Sequence, residues 1–227
     1  MRSMKVKAIL FDLDKTLIEV GDYVDWLKGR QDMVKVYLKH GISAKILIRY
    51  TDPGRLFAEM YNELARMFPD DRVIAIQREA SNVLSMHELK ALDKVRLMPG
   101  CLDVLRYFKR KGIKIGVVSL NGEKVVYEAL RRTGIYHYID IYFSRDSPGR
   151  PKPYPDHILN CLKELKCNVK EAVFIGDSLV DIEAAKRARV IPIGIATGFF
   201  TEEELLAAGA KLVVSSLSEL PNRIFIV

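Results

Sequence analysis

Cysteine is scarce: Cys101, Cys161 and Cys167 are the only three in 227 residues, and no two are spaced C-x-x-C. That excludes a disulfide framework and a zinc-finger pattern and leaves reduced, mostly buried thiols. Long apolar runs are missing as well. The most apolar stretches, such as Val190 to Ala196, fall far short of the roughly 20 residues a membrane helix needs, and Met1 to Ala8 shows no leader-type apolar segment. A cytoplasmic chain with no membrane partner is the expectation. Low-complexity tracts and internal repeats are also absent, which argues against a fibrous or solenoid architecture.

Two features are present in quantity. Hydrophobic residues make up 49% of the chain, ample for a real core. Basic residues exceed acidic ones, giving a net charge of +7. Clustered Lys and Arg supply the electrostatic part of nucleic-acid binding. Here Arg106, Lys109, Arg110, Lys111 and Lys114 crowd one predicted helix and its exit without the aromatic and basic signature of an RNA module. They read as a solvated helix face, with no nucleic-acid partner.

From Pro99 onward, short β-branched runs alternate with amphipathic stretches. Helices are predicted over Cys101–Lys111, Glu123–Thr133, Asp156–Leu165 and Leu179–Ala188, and strands over Ile113–Ser119, Ile139–Ser144, Ala172–Ile175, Ile191–Ala196 and Leu212–Ser215. Thr201-x-x-Glu204 reads as a capping box that opens one more helix. With Val6–Phe11 as a first strand, the pattern predicts an α/β fold around a doubly wound parallel sheet. Tyr23 to Val95 shows helical periodicity and no convincing strand. The expected organisation is therefore a core of residues 1–18 and 98–227, interrupted at 19–97 by an all-α insertion.

Open parallel sheets bind ligands beyond the carboxyl ends of their strands. Asp12 and Asp14 follow the first strand, Ser119 closes "IGVVS", Lys152 lies in the loop after "IDIYFS", and Asp177 closes "VFIGD" with Asp181 four residues on. Each has a structural alternative. Ser119 could end its strand by bonding its own backbone, and Ser178-x-x-Asp181 could be only a helix cap. Their joint placement at successive strand ends points to a common acidic site.

"DLDKTL", "VVS", "GRPKP" and "GDSLVD" resemble, in that order, the four motifs of the haloacid dehalogenase superfamily, whose core is a Rossmann-like sheet. A helical insertion between the first two motifs is similar to that superfamily's C1 cap. "GRPKPYPD" and "ATGFFTEEELLAAGAKLVVSSLSEL" are most similar to its phosphoglycolate phosphatase-like branch. The chain departs from the pattern in having Lys15 where many relatives have Gly, and Leu120 where an Asn often follows the second-motif hydroxyl, with Asn121 one residue later.

The resemblance implies a phosphatase that uses Mg²⁺. Asp12 and Asp177 would hold the ion through their side chains and Asp14 through its backbone carbonyl, with Asp181 and Thr16 behind them. Asp12 would be the nucleophile and Asp14 the acid and base, while Ser119 and Lys152 would bind the phosphoryl group. Elementary electrostatics agrees that cations are needed. Two unit charges about 4 Å apart repel by about 4 kcal/mol at an effective dielectric near 20. The substrate expected is a small phosphorylated metabolite, phosphoglycolate first, handled by a monomer or homodimer. A phosphomutase or pyrophosphatase of the same superfamily is the nearest alternative. A receiver-like signalling module, which also phosphorylates an aspartate in a doubly wound sheet, is the alternative from another class, and the helical insertion argues against it.

Overall fold

The computed structural model describes residues 6–224. Residues 1–5 and 225–227, which include most of Met1 to Ala8 and the outer ends of both expected core segments, lie outside the described residues. The centre of the fold is a six-stranded parallel sheet of β1 (Ala8–Phe11), β4 (Lys114–Val118), β5 (Ile141–Phe143), β6 (Ala172–Gly176), β7 (Ile191–Ile195) and β8 (Leu212–Val214). Their spatial order is β5-β4-β1-β6-β7-β8, and every pairing is parallel. The chain winds outward from β1 in both directions, so the order reverses there and a crevice opens at its carboxyl end.

The period of two in a strand divides the core. Ile9 and Phe11 of β1, with Val173 and Ile175 of β6, pack on one face; Ala8 and Leu10, with Ala172 and Phe174, pack on the other. All of β1 is buried, as a central strand covered on both faces must be. Helices α5 (Cys101–Arg110), α6 (Glu123–Arg132), α7 (Asp156–Glu164), α8 (Leu179–Arg187), α9 (Glu202–Ala208) and α10 (Leu220–Arg223) complete the layers. On α5, Val104, Leu105 and Phe108 face inward while Arg106 and Arg110 are exposed, so the basic cluster lies on a solvated face. All three cysteines are free. No helix among the described residues is long and apolar enough to cross a membrane.

Between β1 and α5 stand α1 (Trp26–Lys39), α2 (Ala44–Leu47), α3 (Pro53–Ala65) and α4 (Asp70–Ala91). They close on their own hydrophobic cluster, built from residues such as Met33, Tyr37, Leu56, Phe57, Met60 and Ile76. Gln77 is buried inside it and satisfied at both ends, accepting from the Tyr37 hydroxyl at 2.6 Å and donating to the Phe57 carbonyl at 2.9 Å. The two connections to the sheet pair with each other as a ribbon, β2 (Ile18–Glu19) antiparallel to β3 (Arg96–Leu97). The sequence reading missed this ribbon, because two residues per strand are too few to show a period.

Candidate active site

Asp12 leaves β1 with its N–H donating to the carbonyl of Ile175 at 2.8 Å, so the sheet ladder itself positions the residue. Its carboxylate is 8% exposed. The Lys152 ammonium, 1% exposed, donates to Asp12 Oδ1 and to Asp181 Oδ1, both at 2.6 Å. Asp181 also accepts from the Ser178 N–H and hydroxyl through Oδ2, closing the capping box of α8. Asp181 thus serves both the helix cap and the lysine, with both oxygens spent.

Asp177 differs. It follows β6, is 8% exposed, and makes no hydrogen bond or ion pair among the described residues. Carboxylate oxygens of Asp12, Asp177 and Asp181 lie within 4.8 Å of one another. Two glycines permit this crowding: a Cβ on Gly176 would fall 2.4 Å from the Asp181 carboxyl carbon, and one on Gly198 would fall 1.9 Å from Asp177 Oδ2. Burial, then the neighbouring Asp12 and Asp181 charges, push Asp177 up to about 9. Burial raises Asp12 to about 7 even though Lys152 opposes the shift. For Lys152, burial favours loss of the proton, but Asp12 and Asp181 outweigh it and hold the ammonium charged. One lysine does not balance three clustered carboxylates. The free oxygens of Asp177, all hard anionic donors, fit a divalent cation.

Asp14 lines the same cavity, but its Oδ1 accepts from the N–H groups of Val20 at 2.9 Å and Gly21 at 3.0 Å, at the entrance to the helical insertion. Its Oδ2 makes no hydrogen bond among the described residues, and the carboxylate stands outside the cluster of Asp12, Asp177 and Asp181. Burial raises its proton affinity against those two donors. Next to it Lys15 adopts a left-handed backbone, φ 60°, and its ammonium pairs with Glu19 at 3.1 Å and with Asp22. Glycine, with no Cβ, would adopt this conformation at less cost.

Ser119 and Thr16 stand apart from the acidic contacts. Ser119 does not line the cavity. It accepts from the Asn121 N–H at 3.1 Å and donates to Asn121 Oδ1 at 2.9 Å, bonding its own turn, while Asn121 reaches the cavity wall. Thr16 is fully buried, and its Oγ1 has no hydrogen-bond partner among the described residues. The carboxylates that lie together are those of Asp12, Asp177 and Asp181, with Asp181 tied back to Lys152 and the α8 cap.

The sequence reading also missed a buried pair. Arg145, in the loop after β5, meets Glu88 of α4 through Nη1 at 3.0 Å and Nη2 at 2.9 Å, with both side chains 1% exposed. Glu88 further accepts from Asn121 Nδ2 at 3.0 Å and Gly122 N at 3.3 Å. The insertion is thereby tied to the loop after β4. A signal existed: Leu84, Glu88 and Ala91 share the helix spacing of a buried stripe, and a carboxylate in such a stripe needs a partner. The cavity over these groups measures about 480 Å³, within the usual range for small-molecule sites.

Comparisons with known proteins agree with this geometry. Residues 9–195 match the family model for haloacid dehalogenase-like hydrolases. A putative pyrophosphatase PpaX of Clostridium perfringens is 31% identical over 191 residues, 84% of either chain. Among solved structures, a predicted phosphatase from Clostridium acetobutylicum superposes with a TM-score of 0.71 at 22% identity, covering 98% of this chain and 100% of that one. A predicted phosphoglycolate phosphatase from Haemophilus somnus gives 0.65 at 20%, covering 96% and 97%. With the family model spanning most of the sheet and all of the acidic site, the chain belongs to the haloacid dehalogenase-like hydrolase family.

Proposed function

We propose that this enzyme is a Mg²⁺-dependent phosphatase that hydrolyses a small phosphomonoester through a phosphorylated Asp12. The observation that carries the reading is Asp177, a buried and unpartnered carboxylate crowded against Asp12 and Asp181. Asp12 and Asp177 would hold the ion, with the Asp14 carbonyl as a further donor and Asp181 as the anchor behind them. When bound, the ion supplies positive charge that offsets repulsion between Asp12 and the phosphoryl oxygens.

The chain's own groups do the rest. Lys152 fixes the Asp12 carboxylate and places its ammonium beside the oxygen-rich end of the cavity. Asp12 attacks phosphorus; the new oxygen–phosphorus bond forms as the ester bond breaks, and the electron pair leaves with the alcohol oxygen. Asp14, its proton affinity raised by burial, donates the proton that this oxygen takes up. In the second half Asp14 removes a proton from water as the water oxygen attacks the phosphoryl group, releasing inorganic phosphate and restoring Asp12. Residues 19–97 act as a cap over the site, with the ribbon of β2 and β3 as its base.

Turnover distinguishes this reading from a signalling module. Purified protein with Mg²⁺ should release many equivalents of inorganic phosphate from a phosphomonoester and lose that activity in chelator. Phosphorylation that stops at one equivalent would support the receiver reading instead. Phosphoglycolate, the first expectation from sequence, and pyrophosphate, the substrate in the name of the Clostridium perfringens relative, each bring a second acidic group. The wall opposite the aspartates decides whether that group would be met.

A further inference from the structure

Three cations line the cavity, and all are already neutralised. Lys152 is shared by Asp12 and Asp181. Lys15 is held by Glu19 and Asp22. Arg145 spends its guanidinium on Glu88, the Ser81 and Ser85 hydroxyls, and the carbonyls of Ser81 and Leu120. Asn121, the neutral donor nearest the sheet, is also committed, its Nδ2 to Glu88 and its Oδ1 to Ser119.

The amino end of α3 faces the cavity through Asp52, Pro53 and Gly54 and would ordinarily attract an anion. Here it does not. The Asp52 carboxylate caps it, accepting from the Arg55 N–H at 2.6 Å, and Pro53 has no N–H to offer. Asp52 has no cationic side-chain partner among the described residues, so it leaves a negative charge at this lip. The rest of the wall is carbon from Trp26, Leu84, Leu120 and Phe199, with the neutral Thr51 hydroxyl and Gly54 N–H beside the Asp52 lip. The Trp26 indole N–H is spent on the Gly21 carbonyl at 2.8 Å. Phe199 lines the cavity while 86% exposed, so a ligand body seated there would remove its carbon from water.

We propose that the alcohol half of the substrate is uncharged and bears an apolar or aromatic body, so that a carboxylate or second phosphate is selected against. The inference rests on the phosphatase reading and narrows it. An acidic group carried to this wall would lose water and find no free cation, only the neutral Thr51 hydroxyl and Gly54 N–H beside the Asp52 carboxylate. A ring or alkyl body would instead bury its carbon against Trp26, Leu120 and Phe199.

The test compares kcat/KM of the full chain with Mg²⁺ for benzyl phosphate, phosphoglycolate and pyrophosphate, the first two having similarly unactivated alcohols. Benzyl phosphate should be preferred over each of the others by about tenfold or more, the scale of a well-made apolar contact. Equal or greater efficiency on phosphoglycolate or pyrophosphate would overturn the inference while leaving the phosphatase reading intact. Failure to hydrolyse any of the three would remove both.

Two variants sharpen the result. Phe199→Ala, at an exposed position, should lower kcat/KM for benzyl phosphate by about fivefold while pyrophosphate changes by less than about twofold; an equal loss on both would contradict an apolar contact. Leu120→Arg adds a cation to the wall and should shift the ratio toward phosphoglycolate by about tenfold. An unchanged ratio in folded Leu120→Arg protein would also count against the proposal.

Discussion

The sheet core and the helical insertion treat buried charge in opposite ways. In the insertion every buried polar group named here has a partner: Gln77 bonds at both ends, and Glu88 meets Arg145, Asn121 and Gly122. At the carboxyl end of the sheet, Asp12 and Asp177 are brought together by β1 and β6 with one lysine between three carboxylates, and Asp177 has no partner among the described residues. Helical structure in the insertion is satisfied as it stands, whereas the core stores electrostatic strain where the chemistry would occur. Unsatisfied charge of this kind persists in a folded protein when a ligand relieves it.

Asp12→Asn probes the core most severely. It keeps the shape of the side chain but removes the nucleophile, and kcat should fall on the order of 10⁴-fold, measured as inorganic phosphate release. A loss below about tenfold would mean that another group forms the bond to phosphorus.

On the insertion side the largest effect should come from Glu88→Ala, which strands Arg145 in a dry site. Urea denaturation should show about 3–5 kcal/mol of lost stability, and the double change Glu88→Met with Arg145→Met should recover most of it. If the single change costs no more than an exposed ion pair, the contrast between the two regions fails at its best-paired residue.

Titration exposes the strain directly. An aspartate normally releases its proton near 3.8, whereas Asp12 is raised to about 7 and Asp177 to about 9. Between those values the folded chain holds protons that the unfolded chain has released, so stability falls as pH rises. The Tm of metal-free protein should therefore decline from pH 5 toward pH 9, and Mg²⁺ should raise Tm more at pH 8 than at pH 5. A metal-free Tm that climbs across this interval would show that the carboxylates are not strained.

Lys15→Gly should produce the smallest change. It relieves a left-handed residue, worth roughly 1–2 kcal/mol, but loses partly exposed ion pairs worth at most about 1 kcal/mol together with the extra entropy of a glycine in the unfolded chain. The net change in urea denaturation should stay within about 1 kcal/mol. A larger loss would give the Lys15 pairing with Glu19 and Asp22 a weight that its exposure does not support.

Much of the core could be read before the structure because strand burial and strand-end charge are local signals. Ile9, Leu10 and Phe11 followed by Asp12, and Val173 to Ile175 followed by Asp177, announce buried strands that end in acid, and parallel topology then brings the acids together. What escaped depends on contacts between distant segments. The Arg145–Glu88 pair joins residues 57 apart in the chain. The turn that gives Asn121 the cavity wall and folds Ser119 behind it depends on side-chain direction rather than order. Capture of Asp14 by the Val20 and Gly21 amides follows from the path of the β2 and β3 ribbon, whose strands are too short to leave a periodic trace.

In the proposed reaction Asp12 and Asp14 divide the work between them, and the intact mass of Asp14→Ala protein after incubation with Mg²⁺ and p-nitrophenyl phosphate tests that division. That substrate's leaving group departs with little help from an acid, so the first step should proceed while water attack lacks its base. A single phosphoryl adduct should accumulate, located on Asp12 and absent from the Asp12→Asn protein. Hydrolysis of an unactivated phosphomonoester by Asp14→Ala at the wild-type rate, with no adduct, would contradict it.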